Sequence, residues 1–294
     1  MHKKAFSLIE LSIVLLIIGI IIAGVTQSSR LIGGMRLAVA ASMTQSAPVA
    51  SITGLSLWLE PTSENAFATG TSGTYTNVSQ PEEDDSIGRW NDLNPQSTSK
   101  LDAIQATSGN QPTYKSSAIN NLPALLFTNA SAQALVSDFN MDYTVTPNLT
   151  FFVVFRRVGT GSYQCIFGNG IGDGRILCPS HADVPGAGML AAASWNAISG
   201  GDALNTPLII SAVLKDTVTN GSVVYLNGNT SVTFSENETT SGASTTTIGA
   251  DGAGAGAPWD GYIGEVIVFN RALKTSERQA IERYLGKKWN VVVP

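Results

Sequence analysis

The sequence predicts a long N-terminal helix, then an all-β sandwich, then one short C-terminal helix. Three observations predict it. Leu11 to Val25 read LSIVLLIIGIIIAGV without a charge. From about Gly54 onward, short β-branched and aromatic runs alternate with turns rich in Gly, Asn and Ser, the pattern of a two-layer antiparallel fold. Only one late stretch, ending at Trp289, returns to helical spacing.

Composition narrows the classes of function. The chain has 294 residues, 43% hydrophobic and 13% charged. That excludes a disordered acidic chain, which combines low hydrophobicity with high charge. Two Cys are too few for a disulfide-framework mini-protein. A net charge of −5 argues against nucleic acid as a partner, because phosphate binding needs a basic face.

The first element is the apolar helix. Phe6 to Val25 is twenty residues, interrupted by charge only at Glu10. A helix of that length rises ~30 Å, the thickness of a bilayer core. A secretory signal would carry an apolar region of ~7–15 residues and a small-x-small cleavage site; this run is longer and no Ala-x-Ala site follows it. His2, Lys3 and Lys4 precede the span, so the short N-terminus stays cytoplasmic and the remainder crosses. Glu10 costs on the order of 2.5–3.5 kcal/mol inside a span and needs a partner. Beyond Val25, Leu31, Met35, Val39 and Met43 continue a helical stripe with Ile32 beside it. The helix ends before Pro48, residues 48–53 form a linker, and the sandwich occupies 54–294.

The strands follow in order. Leu55, Leu57 and Leu59 alternate with other residues. Thr150–Phe155 (TFFVVF) and Leu208–Leu214 are compact apolar runs. Residues 221–226, the Asn227-Gly228 dipeptide and residues 229–234 read as a hairpin on a type I′ turn. Trp259–Asn270 is the final strand region. In the C-terminal helix, Ser276 with Gln279 gives a capping-box pattern, and Thr275 is an equally good cap. Ile281, Tyr284, Leu285 and Trp289 form its apolar face.

Lys3-Lys4-Ala5-Phe6-Ser7-Leu8-Ile9-Glu10-Leu11 resembles the prepilin leader of type IV pilins and the related pseudopilins. The resemblance implies removal of residues 1–5 by a prepilin peptidase between Ala5 and Phe6, N-methylation of Phe6, and a filament core formed by residues 6–47. One departure is Ala5, where the family usually has Gly. Cleavage frees a positive amine on Phe6, which Glu10 of a neighbouring subunit can meet in an apolar bundle, each charge offsetting the burial of the other. Loss of Lys3 and Lys4 leaves 15 basic against 22 acidic side chains, a balance of −7.

A second resemblance covers roughly residues 54–292. DGYIGEVIVFNRAL followed by KTSERQAIERYLGKKW is similar to the end of concanavalin A-like (laminin-G-like) jelly-roll domains. Ser86–Leu93 (SIGRWNDL), Asn110–Tyr114 and Leu122–Phe127 (LPALLF) fit the same family. Its members include glycan binders, protein binders and glycosidases.

A glycosidase needs two carboxyls facing one substrate. Glu82, Glu83, Asp84 and Asp85 follow Pro81 without apolar alternation and read as a solvated loop; Glu265 stands alone in its strand. The expectation is therefore a protein that is not an enzyme. Asn169–Asp173 (NGIGD) and Ala250–Asp260 (ADGAGAGAPWD) place oxygen donors beside an aromatic. Asn169, Asp173, Asp251, Trp259 and Asp260 are thus the candidate glycan or calcium loops, calcium taking six to eight oxygens; ordinary turn chemistry with Trp259 packed under the sheet explains the same residues. No other cofactor is expected. Trp195, in MLAAASW, reads equally as core or surface. His181 after Cys178 lacks the further Cys or His that zinc requires. Cys165 and Cys178, thirteen positions apart and exported to an oxidising compartment, read first as a disulfide contributing ~3 kcal/mol, with two separate buried thiols as the alternative.

Together these readings describe a pilus-like filament subunit. It is a single-pass inner-membrane protein before assembly and an extracellular filament afterwards, with other pilins and an inner-membrane assembly platform with its ATPase as partners. The sandwich is expected to meet a glycan or another cell-surface ligand. The alternatives are a periplasmic pseudopilin of a secretion machine and a major pilin whose sandwich is only a coat.

Overall fold

A computed structural model describes residues 8–170, 175–182, 186–191, 194–236, 245–252 and 256–294, without the side chains of residues 10, 24–30 and 191. Helix α1 runs Leu8–Gln45 and a 3-10 turn, Pro48–Ser51, follows it. Among the described residues no helix is long and apolar enough to cross a membrane. The expected span, Phe6 to Val25, begins and ends outside the described side chains; its described uninterrupted part is Leu11–Ala23.

The rest is mostly β. The strands are β1 Leu55–Leu59, β2 Phe67–Thr69, β3 Thr76–Val78, β4 Arg89–Trp90, β5 Ala103–Ile104, β6 Thr113–Ile119, β7 Leu122–Phe127, β8 Leu135–Ser137, β9 Asn148–Arg157, β10 Tyr163–Gln164, β11 Phe167–Gly168, β12 Ile176–Cys178, β13 Ser180–His181, β14 Ala187–Ala191, β15 Ser194–Ile198, β16 Pro207–Lys215, β17 Val218–Leu226, β18 Asn229–Glu236, β19 Thr246–Ile248 and β20 Gly261–Phe269. Helix α2, Thr275–Trp289, closes the chain. One sheet runs β18-β17-β16-β9-β20-β7-β6, with β1 also on β20; the other runs β15-β14-β12-β11-β19-β8-β5-β4-β2-β3; β10 and β13 form a separate two-stranded sheet. The ladders between these strands are antiparallel.

The main core lies between the two sheets and joins Phe151, Val153 and Phe155 of β9 to Phe67, Trp90, Phe167 and Leu177 opposite. The other face of the eight-stranded sheet is buried too. Phe152 and Val154 of β9, Ile209 of β16 and Ile267 of β20 pack under α2 and the end of α1. Burial on both faces is why β9 reads as an unbroken apolar run rather than an alternating one. The β17–β18 hairpin turns on Asn227 (φ 49°) and Gly228 (φ 80°), the left-handed pair that a type I′ turn requires.

The structure adds two details and changes one expectation. Leu55, Leu57 and Leu59 do not share a face: a register irregularity between Leu55 and Leu57 sends Leu55 toward α2, while Leu57 and Leu59 face between the sheets. The helical stripe of α1 is largely uncovered, with Leu31 66%, Met35 61% and Val39 54% exposed; among its described side chains Ala40 and Thr44 are buried, as is Ala47 just beyond its end. Helix α2 starts one residue before Ser276, and its N-terminus is held by Glu277. That carboxylate accepts the backbone N–H of Lys274 at 2.8 Å and two N–H groups of Arg271 at 2.8 and 2.9 Å.

Candidate functional site

The most constructed polar site is the junction of α1 with the sandwich. It begins with a bulge. In β20, Ile263 pairs with Phe155, and Glu265, two residues on, pairs with Val154. The extra residue, Gly264, breaks the alternation that would have put Glu265 between the sheets beside Ile263. Glu265 is aimed instead at the helices, as bulges re-aim side chains. Glycine is required there, because a Cβ on Gly264 would lie 2.7 Å from the Trp289 ring.

Glu265 then meets four donors. Trp58 Nε1 and Tyr284 OH donate to Oε1, each at 2.9 Å; Trp289 Nε1 at 2.9 Å and Lys288 Nζ at 3.0 Å donate to Oε2. Lys288 also pairs with Glu60, just past β1, and donates to Thr44 Oγ1 of α1 at 2.8 Å. Glu60 is further bonded by the hydroxyl and backbone N–H of both Thr62 and Ser63. Burial pushes the Glu60 carboxyl up, but the Lys288 ammonium and these hydroxyls outweigh it and hold it below the ordinary value. Burial, with Glu265 and Glu60 nearby, raises Tyr284 well above its usual range. The ion-paired side chains of Lys288, Glu60 and Glu265 are all 0% exposed. Glu265 stands alone in its strand, and the second carboxyl, Glu60, comes in from beyond β1. Both carboxyls converge on one ammonium in a closed site, which offsets part of their charge and fixes helix to sheet.

Above this junction α1 stands clear. Leu8 is 84%, Leu16 64% and Ile20 65% exposed. Grooves of about 540 and 660 Å³ flank the helix, the first lined by Met35, Val39, Met43 and Asn121, the second by Gly33, Leu37, Tyr114 and Ser116. Ala5 and Phe6 lie outside the described residues, as does the side chain of Glu10.

The predicted ligand loops come only partly together. Asn169 is 2% exposed; its side-chain oxygen accepts the backbone N–H of Arg175 at 2.8 Å, so it closes its own loop. Gly170 N–H donates to the Asp251 carbonyl at 2.7 Å, which brings the two loops side by side, and burial raises the Asp251 carboxyl. Asp173 lies outside the described residues. Trp259 is fully buried and meets Phe155 edge-on at 5.8 Å; it is core, as the turn reading had it. Asp260 sits apart, its carbonyl taking the N–H groups of Val158 and Gly159. Among the described residues no group of three or more His, Cys, Asp or Glu could hold a metal ion. The run Glu82–Asp85 is a largely exposed loop tied to Lys115 by Glu83 and Asp84. Cys165 and Cys178 are joined in a buried disulfide.

Sequence reasoning missed Glu60, Lys288 and Thr44. The one available signal was a charged residue, Lys288, on the apolar face of α2 beside Trp289; the partners are brought in from 228 and 244 residues away.

The prokaryotic N-terminal methylation motif matches residues 1–26, so the chain has a type IV prepilin-type N-terminus ahead of its β-sandwich. No curated protein matches the chain. Among solved structures it is similar to domain 4 of AbnA, a GH43 extracellular arabinanase from Geobacillus stearothermophilus, at 14% identity over 58% of this chain and 80% of that one, with a TM-score of 0.42. It is similar to Trypanosoma rangeli sialidase at 14% identity over 85% of this chain and 38% of that one (TM-score 0.49). It is similar also to the botulinum neurotoxin serotype D binding domain at 13% identity over 64% of this chain and 49% of that one (TM-score 0.42). This chain thus spans about half or less of the sialidase and the neurotoxin domain.

Proposed function

We propose that this protein is a subunit of a type IV pilus-like filament. Its N-terminal helix anchors in the inner membrane and then packs in the filament core. Its concanavalin A-like sandwich is displayed outward to recognise glycans on surfaces. The observation that carries the reading is a prepilin-type motif at residues 1–26 leading into a helix in which the described large apolar side chains between Leu8 and Ile22, and again Leu31, Ile32, Met35 and Val39, stand exposed. Such a surface has no place in water, and lipid or other copies of the helix would cover it. In this reading prepilin peptidase cuts between Ala5 and Phe6, Phe6 is N-methylated, and Glu10 meets the new amine of a neighbour. The role is structural and adhesive, not enzymatic: the converging carboxyls Glu60 and Glu265 face Lys288 and are closed to a substrate.

The test is quantitative mass spectrometry of filaments sheared from the cell surface, including the N-terminal peptide. A methylated Phe6 peptide in trace beside another pilin supports the minor or tip adhesin. The same peptide dominating the fraction marks a major pilin whose sandwich coats the fibre. A processed chain found in cells but missing from the surface marks a pseudopilin and overturns the proposal.

A further inference from the structure

Helix α1 presents two different flanks where it runs beside the sandwich. Ile32, Met35, Arg36, Val39 and Met43 stand at i, i+3, i+4, i+7 and i+11, so they share one face of the helix. Gly34, Leu37, Ala38 and Ala41 repeat the i, i+3, i+4, i+7 spacing on another face. The first face is a ridge: Ile32 is 49%, Met35 61% and Val39 54% exposed. The second face lines a groove of about 340 Å³ in which none of the ridge residues takes part. The floor of that groove is apolar, with Leu37 on the helix side and Phe67 and Tyr114, each 1% exposed, on the sandwich side.

Lipid does not reach the ridge. The expected span ends at Val25, and Val39 lies about 21 Å further along the helix, whereas the headgroup layer adds only about 5–8 Å to each side of the hydrocarbon. The chain's own sandwich leaves the ridge exposed as well, and an apolar stripe of this kind in water marks a protein interface. Charge says which protein surface fits it. Arg36, exposed, is the one charged side chain described in α1. Glu64, also exposed, lines the groove on the other flank. Among the described residues neither makes an ion pair. One flank of the helix thus offers apolar knobs and a spare cation, and the other an apolar floor and a spare anion.

We propose that the ridge of one copy of this chain docks into the groove of a second copy, with Arg36 of the first meeting Glu64 of the second. The contact joins two different faces, so every copy keeps one ridge or one groove free for the next. Such a heterologous contact repeats from copy to copy and builds an open array when its rotation does not close a ring. It is separate from the packing of the apolar halves of α1 on one another, because here the helix of one copy meets the sandwich of the next. The inference rests on the reading of the chain as a filament subunit and gives that reading a directional contact outside the span.

The experiment uses filaments of the full processed chain sheared from the cell surface. Chains carrying Arg36→Cys and chains carrying Glu64→Cys are co-expressed, and mild oxidation should link them into dimers on a non-reducing gel, whereas either variant alone stays unlinked. Arg36→Glu and Glu64→Arg should each lower the yield of surface filaments about tenfold or more, because like charges across an interface are strongly unfavourable, and combining the two should restore it. Both side chains are exposed, so the urea midpoint of the detergent-solubilised chain should stay put in all three variants. Ala38→Trp, which fills the groove and leaves both charges in place, should lower the yield as well. Dimers from Arg36→Cys alone mean that ridge meets ridge and overturn the heterologous contact. Full yield from the single charge variants, or no recovery on combining them, overturns the Arg36–Glu64 pairing. Normal filaments of the co-expressed chains without dimers overturn the docking and leave the filament reading standing. A wild-type chain that is processed and missing from the surface fraction overturns the filament reading itself, and this contact with it.

Discussion

Lys288 of α2 and Glu60, beyond β1, form an ion pair with both side chains 0% exposed, and Thr44 of α1 accepts a hydrogen bond from the same ammonium. One buried cation thus ties the N-terminal helix, the C-terminal helix and the sheet together.

Removing that cation should be costly. Lys288→Met leaves Glu60 and Glu265 buried without their counter-ion, a loss of about 3–5 kcal/mol. Urea unfolding of the detergent-solubilised chain should show it as a lower midpoint. Adding Glu60→Gln and Glu265→Gln should recover a large part, since the penalty lies in uncompensated charge. An unchanged midpoint in the single variant would mean that the pair contributes nothing.

The bulge makes a sharper demand. Gly264→Ala places a methyl 2.7 to 3.0 Å from three atoms of the Trp289 ring, and overpacking of this kind costs about 1–3 kcal/mol. The same urea series measures it. Gly73 is the control for the packing argument: nothing lies within 4 Å of a Cβ there, so Gly73→Ala should show only the backbone cost of its positive φ.

Reduction of Cys165–Cys178 should destabilise the chain by about 3 kcal/mol in the loop-entropy model. It should also loosen Trp195, which packs on the disulfide cluster, and so raise acrylamide quenching. Intact mass before and after reduction checks the bond itself: the oxidised chain is lighter by two hydrogen atoms, and labelling of both Cys without reductant would refute it.

Acid should weaken the start of α2. Hydrogen bonds from Arg271 hold the Glu277 carboxyl at about 2, below its unfolded value of about 4.3. A lowered folded value stabilises the protein fully above the unfolded value and progressively less as pH falls toward the folded one. The lowered Glu60 carboxyl acts in the same direction. Urea midpoints should therefore fall between about pH 5 and about pH 2. Glu277→Gln should make that fall shallower; an identical pH profile would remove Glu277 from the account.

Local patterns were legible where one chemistry decided them. The Asn227-Gly228 turn, the β9 and β16 runs and the apolar face of α2 followed from periodicity and turn residues, because each is settled within a few neighbours. The cap of α2 was misread because the helix already includes Thr275 and Ser276, with Lys274 at the cap and its backbone N–H held by Glu277, which Arg271 orients from six residues before it. The strand Leu55–Leu59 was legible from its alternation, but the register irregularity that turns Leu55 to the other face cannot be seen in an alternating run.

By itself the sequence determined the class of chain: an apolar N-terminal helix behind a prepilin-type leader, a β-sandwich, and a late helix with Trp289 on its buried face. These depend on contiguous residues. The tertiary structure alone decided where the polar chemistry went. Antiparallel pairing around Gly264 turned Glu265 from the inter-sheet core to the helices, where residues more than 200 positions distant supply its counter-ion's other partners. The crossing of β10–β13 over the outer sheet brought Tyr163, His181 and Trp195 into one stack. Such contacts depend on register and sheet order, which no local spacing encodes.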